Sequence, residues 1–279
     1  MSVAQARPRS RGGMSPFLTR IAVIVAGLPL VLFSAYYGGW ALLALLAPAT
    51  LLALHELYRM ARALRPLVLA GYAGSLAAVL GAYFGGPQWM LGGFALTLLL
   101  AFVFAAISET RQSSTVAVAT TVLGAAWIGL GLASLVLVRD LEPEGRLVLI
   151  TVLLTVFVAD TFAYLGGRVA GRHKMAPAIS PGKTWEGFVI GAIAGVVTTW
   201  LALNDDHAGI VGWEAFVLGG VIVLAGVSGD LFESMVKRDL GVKDSSRVLL
   251  GHGGVLDRVD SMVFAGPAAY FAVLALTQT

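Results

Sequence analysis

The stretch Ser228–Ser261, SGDLFESMVKRDLGVKDSSRVLLGHGGVLDRVDS, lies between two long apolar runs and decides how the rest of the chain is read. It carries six acidic side chains, Asp230, Glu233, Asp239, Asp244, Asp257 and Asp260, together with five cations and a His-Gly-Gly. A solvated loop rarely needs so many charges pressed against membrane-type sequence, because an acid beside hydrocarbon is costly and marks a pathway or a site. The stretch reads as an active site at a membrane boundary, served by helices on both sides.

Composition agrees. The 279 residues are 58% hydrophobic and 13% charged, which excludes an ordinary soluble domain and places the chain among all-α polytopic membrane proteins. The absence of cysteine excludes disulfides and thiolate metal sites. Residues 1–16, with Arg7, Arg9 and Arg11, read as a disordered basic tail; 17–145 read as amino-terminal spans and 146–279 as the catalytic transmembrane region. Nine apolar runs can be drawn, at 17–37, 39–54, 67–84, 88–107, 115–138, 147–167, 187–203, 213–236 and 259–276. The second is short for a bilayer core of about 30 Å and is expected to be re-entrant or tightly paired with the first. Pro29 is expected to kink the first helix.

With the amino terminus inside, only Arg139 and Arg146 among the 19 Lys and Arg residues fall outside. The positive-inside rule then puts the amino terminus in the cytoplasm, the carboxyl terminus outside, and the polar loops 168–186 and 237–258 together on the cytoplasmic face. Asp160 and Asp230 lie about 10 Å inside that end at 1.5 Å per residue, and Asp260 opens the last run, depths that suit a lipid headgroup. Gly191 and Gly195 form a G-x-x-x-G that serves packing within the bundle or a subunit interface, and Gly-rich helix faces suit a homodimer.

On a helix, Asp230, Glu233, Ser234 and Lys237 share one face at i, i+3, i+4 and i+7. The plain alternative is an intrahelical salt bridge with Lys237 snorkelling outward. Asp257 and Asp260 repeat the spacing at the start of the next helix, where acids also simply favour a helix amino terminus. Two such pairs flanking one loop favour a hard cation held by oxygen ligands, with Mg2+ natural beside phosphates. Gly253 and Gly254 let backbone N–H groups approach a phosphate as an anion nest, to which His252 adds a donor or proton. In the second polar loop, Lys183 and Thr184 sit in a Pro-Gly turn and offer an ammonium and a hydroxyl to a triphosphate. Gly182-Lys183-Thr184 is no P-loop, because position 177 is Pro and no strand precedes it. Glu186 reads alternatively as a cap of the helix that follows. His55, Glu56 and Arg59 read as interfacial residues, or as contacts to a lipid phosphate.

The pattern S-x-x-K-R-x4-K-D followed by H-G-G-x-x-D-R-x-D resembles the signature of phosphatidate cytidylyltransferases (CDP-diacylglycerol synthases). It is carried by Ser234, Lys237, Arg238, Lys243, Asp244, His252, Gly253, Gly254, Asp257, Arg258 and Asp260. Leu250 departs from the pattern, standing where the family usually has Pro, Gly or Ser. The blocks D-x-x-A-Y-x-x-G-R and S-P-x-K-T-x-E-G are similar to Asp160, Ala163, Tyr164, Gly167 and Arg168, and to Ser180, Pro181, Lys183, Thr184, Glu186 and Gly187. The resemblance covers roughly 160–270 and implies CTP and phosphatidate as substrates, CDP-diacylglycerol and pyrophosphate as products, and no nucleic acid. It further implies one or two divalent or mixed cations, Mg2+ among them, on Asp230, Asp257 and Asp260. Lys237 and Arg238 would join these as catalytic groups. Asp160, Tyr164, Ser180, Lys183, Thr184, Ser234, Lys243, Asp244, His252, Gly253, Gly254 and Arg258 would bind substrate. The expected location is a prokaryotic plasma membrane with the site facing the cytoplasm. A CTP-dependent lipid kinase and an ion-coupled transporter are the alternatives. A transporter would place its acids near the bilayer midplane rather than at one face.

Overall fold

Backbone polar groups surrounded by hydrocarbon must be satisfied within their own segment, and in the computed structural model each of the apolar runs is helical. The structure describes residues 16–108, 114–203, 210, 212–246 and 253–277, with side chains from residue 27 onward. The helices are α1 (Pro16–Tyr37), α2 (Gly39–Met60), α3 (Val68–Ile107), α4 (Ser114–Arg139), α5 (Gly145–Ala170), α6 (Trp185–Leu203), α7 (Trp213–Asp239) and α8 (Leu256–Thr277). Seven of them, α2 to α8, are long and apolar enough to cross a membrane, so the protein is a multi-pass membrane protein. The basic tail lies outside the described residues apart from Pro16, where α1 begins.

One expectation changes and one holds. The second run is no short segment: α2 has 22 residues and continues through His55 to Met60, with Glu56 and Tyr58 buried. A charge count cut it short, because charged residues that face protein rather than lipid do not end a helix. Runs 67–84 and 88–107 are two helices, as drawn from the sequence; they form the two halves of α3 and are parted by a non-helical residue, Gly86, with φ 71°. The element doubles back there. Gly74 abuts Thr97, Gly93 abuts the backbone of Ala78, and Gly81 abuts the carbonyl of Trp89. These pairings run in opposite directions along the chain, so the two halves form a helical hairpin. A side chain at any of the three glycines would collide with the facing half.

The same device joins the helices that position the polar loops. Gly191 and Gly195 of α6 both lie against α5, at Ala159 and Ala163, and Gly195 also meets Val223 of α7. The G-x-x-x-G therefore serves packing within the bundle. Thr155 of α5 and Thr199 of α6 bond through their buried hydroxyls at 2.7 Å. The helix α4 contains a π-helical turn, Ala125–Gly129, whose Trp127 meets Phe232 of α7 edge-on at 4.8 Å between centroids. Phe232 in turn packs on Phe264 of α8 at 5.5 Å. These aromatic contacts fix α4, α7 and α8 beside the acidic stretch.

One departure from an all-α fold occurs among the described residues. Strand β1 (Lys174–Ala176) pairs antiparallel with β2 (Ser180–Thr184), with Lys174 opposite Thr184 and Ala176 opposite Ser180. Pro177 and Pro181 cannot continue a helix, and the chain reverses between them. Lys183 accordingly stands on a strand, not in the expected turn.

Candidate active site

The hairpin, α5, α7 and the start of α8 enclose a cavity of about 470 Å3. Its walls carry Asp160, Tyr164, Arg168, Ser180, Lys183, Thr184, Asp230, Asp257 and Asp260, with Phe188 and Val227 as apolar neighbours. Residues up to 101 positions apart in sequence, from Asp160 to Ser261, thus share one space. Each element delivers its groups for a local reason. Thr184 accepts the Gly187 N–H at 3.2 Å and caps α6, the task expected of Glu186. Glu186 instead reaches backward, accepting the backbone N–H of Arg172 at 3.0 Å and of His173 at 3.2 Å and pairing with the His173 ring. This closes the base of the hairpin and aims β2 at the cavity.

Lys183 then reaches Asp230, Nζ to Oδ2 2.7 Å. Farther along α7, Lys237 bonds Glu233 at 2.9 Å and Asp257 at 2.7 Å. The intrahelical salt bridge expected as the plain alternative is therefore present, but the ammonium does not snorkel. It joins α7 to α8. The second oxygen of Asp257 accepts the Gly254 N–H at 2.7 Å, the Ser245 N–H at 3.2 Å and the Ser245 hydroxyl at 2.8 Å. Asp260 accepts the Ser261 N–H at 2.8 Å. Glu233 is 1% exposed, and its Oε1 has no hydrogen-bond partner among the described residues.

The expected residues divide in two. Asp160, Tyr164, Ser180, Lys183, Thr184, Asp230, Asp257 and Asp260 line the cavity. Ser234, Lys237, Arg238, Lys243, Asp244, Gly253, Gly254 and Arg258 do not line it. Ser234 bonds Asp230 at 3.4 Å. Arg238 donates to the Ile179 carbonyl at 3.3 Å and so ties the end of α7 to the hairpin. Lys243, Asp244 and Arg258 are exposed. The expected anion nest is filled from within: Gly253 adopts φ 78°, and the Gly254 N–H is given to Asp257. An acid in the first turn of a helix reaches back to a free N–H more cheaply than a distant phosphate does. His252 and Leu250 lie outside the described residues.

Two contributors were not foreseen. Arg168 lines the cavity as a second cation; its place in the D-x-x-A-Y-x-x-G-R block was the available signal. Glu56 was read as interfacial or as a contact to a lipid phosphate, yet it is 2% exposed and bonded to Ser245, Ser246, Val255 and Leu256. Nothing local to it announced this. Among the described residues no set of three acidic or imidazole groups is gathered as a closed cation site. The carboxylates of Asp230 and Asp257 each hold an ammonium instead.

Chemically, this is an acid-rich space at the end of a helical bundle, with cations placed for anionic groups and an apolar flank. The model of the cytidylyltransferase family matches residues 18–276. The chain is 44% identical over 138 residues to the phosphatidate cytidylyltransferase of Haemophilus influenzae, covering 47% of this chain and 48% of that protein. With the phosphatidate cytidylyltransferase of Staphylococcus saprophyticus it shares 38% over 176 residues, 62% of this chain and 66% of the relative. With that of Staphylococcus haemolyticus it shares 32% over 254 residues, 90% of this chain and 95% of the relative. The chain thus spans just under half of the first relative, just under two thirds of the second and nearly all of the third. With the family match running through α1 to α8 and across every wall of the cavity, this chain belongs to the cytidylyltransferase family.

Proposed function

We propose that the protein transfers the cytidylyl group of CTP to phosphatidate, giving CDP-diacylglycerol and pyrophosphate. The observation that carries this reading is the single cavity in which Asp160, Asp230, Asp257 and Asp260 face Lys183 and Arg168 beside apolar Phe188 and Val227. A phosphatidate oxygen attacks the α phosphorus of CTP, the new P–O bond forms, and the bond to the bridging oxygen breaks as pyrophosphate leaves. The attacking group is already an anion, so no protein nucleophile is required. The chain supplies position and charge. Lys183 and Arg168 neutralise phosphate oxygens, and Lys237 and Ser245 hold Asp257 in place. The apolar flank suits the glycerol and acyl portion of a lipid entering from the leaflet.

The cavity wall carries four carboxylates, the oxygen donors that a hard divalent ion takes, and the ammonium groups on Asp230 and Asp257 would give way to it. Asp230, Asp257 and Asp260 would hold Mg2+, one ion or two, which when bound neutralises charge on the reacting phosphates.

In the same reading the bundle makes nine spans, the halves of α3 counting separately. The amino terminus and the cavity are cytoplasmic and the carboxyl terminus is outside. The placement of Arg139 and Arg146 away from the cavity supports this orientation. Relatives from bacteria support a prokaryotic plasma membrane.

The test is pyrophosphate release by detergent-purified protein given CTP and phosphatidate, with Mg2+ and then with EDTA. Metal-dependent pyrophosphate matched by a CDP-lipid is expected. Release of CDP with a newly phosphorylated lipid would replace the reading with a lipid kinase. The absence of any nucleotide turnover in folded, lipid-supplemented protein would reopen the transporter.

A further inference from the structure

Glu56 sits on α2, a helix that contributes nothing to the cavity wall, yet its buried carboxylate is spent entirely on the segment that carries Asp257. Oε1 accepts the Ser246 hydroxyl at 2.6 Å and the Val255 N–H at 3.0 Å. Oε2 accepts the Ser245 hydroxyl at 3.1 Å and the Leu256 N–H at 2.8 Å. These bonds join residues 189 to 200 positions apart. The first N–H groups of a helix need acceptors from outside the helix, and no side chain at residue 255 caps the start of α8. Glu56 supplies that cap from another helix, with the full negative charge that a helix amino terminus favours.

The contact is close. A Cβ on Gly254 would collide with the Glu56 carboxylate and the Ser245 hydroxyl, so the glycine lets the carboxylate lie against the backbone. That backbone is the part that positions Asp257, since Gly254 N–H and both Ser245 groups bond its Oδ2. The single Ser245 hydroxyl proton stands between two carboxylates, Glu56 and Asp257, and serves one at a time. We propose that Glu56 is a positioning residue of the active site: by holding Ser245 and Ser246 together with Val255 and Leu256 it fixes where Asp257 meets the cavity and Lys237.

Replacement by Gln keeps the shape but turns an NH2 group toward either the Val255 or the Leu256 N–H, so one end of the clamp opens. In this respect the proposal rests on the cytidylyl-transfer reading, and two separate readouts keep the failures apart. The first is hydrogen exchange on purified wild type and Glu56→Gln. Exchange at Val255 and Leu256 is expected to quicken at least tenfold in the variant, with exchange in the α3 hairpin unchanged. The second is turnover of CTP with phosphatidate. A displacement near 1 Å costs about a hundredfold in rate, so kcat and kcat/KM are expected to fall together by roughly that factor, leaving KM in place.

Unchanged turnover in the folded variant, or unchanged exchange at Val255 and Leu256, overturns the proposal. Exchange that quickens equally in every helix with wild-type kcat per folded molecule assigns Glu56 a purely structural role and also overturns it. Should Glu56→Gln fail to fold, Ser246→Ala removes one bond of the clamp and keeps the charge; a local rise in exchange with a smaller fall in kcat is then expected, and no change in either overturns the inference. A wild type that turns over no CTP refutes the reaction, and the exchange result still decides the clamp.

Discussion

The two ends of the bundle use charge in opposite ways. At one end Arg139 donates to the carbonyls of Ala35 at 2.9 Å and Tyr36 at 3.1 Å, and Arg146 lies over the Tyr36 ring at 4.9 Å. Arg139 satisfies two of the last carbonyls of α1, where a helix carboxyl end favours positive charge. Arg146 is spent on the face of an aromatic ring at the same end. At the other end, Lys183 and Lys237 are spent on carboxylates, and the acids on the cavity wall outnumber the cations beside them. The first arrangement is electrically complete within the protein. The second is complete only when something else enters, which is what distinguishes a binding site from a structural joint.

The comparison breaks most visibly at the carboxylates. Asp257→Asn or Asp230→Asn is expected to lower turnover by about 10^3-fold or more, since charge placement supplies most of the rate in such sites. The protein should remain extractable and folded; substantial activity in either variant would remove that residue from the proposed cation-holding set. Next comes Lys183→Met, which frees Asp230 and removes an ammonium from the cavity. Roughly a hundredfold loss of turnover is expected, read against an unchanged circular-dichroism spectrum.

Two changes away from the cavity sharpen the contrast by leaving chemistry alone. Gly81→Leu would force the halves of α3 apart, and overpacking of this kind costs about 1–3 kcal/mol. The expected readout is a lower melting temperature with kcat per folded molecule retained. Arg139→Gln removes the charge from two hydrogen bonds to carbonyls, a loss of about 1 kcal/mol. It should shift stability slightly and turnover not at all. A large fall in kcat from Arg139→Gln would mean that the two ends are coupled.

How far each region could be read in advance follows the same division. The apolar runs were legible because a bilayer demands a self-satisfied backbone, and that constraint acts on each segment alone. The acids of the cavity were legible because a charge inside an apolar run has no cheap alternative to a partner or a function. The two halves of α3 were legible as the separate runs 67–84 and 88–107, and the structure adds that they pack antiparallel through Gly74, Gly81 and Gly93. The hairpin at 174–184 was signalled by Pro177 and Pro181, which exclude helix without specifying a strand. Glu56 was read as interfacial or as a contact to a lipid phosphate, and nothing in its neighbourhood signalled a buried cap on α8. It stands one turn before Arg59 at the end of an apolar helix, where an acid is ordinarily a solvated terminus.

From sequence alone came the membrane-spanning helices, the family signature and most of the groups on the cavity wall, since each depends on composition or spacing within a short segment. Only the tertiary structure decided that Lys183 meets Asp230, that Lys237 also reaches Asp257, and that Glu56 caps α8. Those pairings join residues far apart along the chain. They depend on how helices pack, and packing sums many weak contacts that no local pattern of residues encodes.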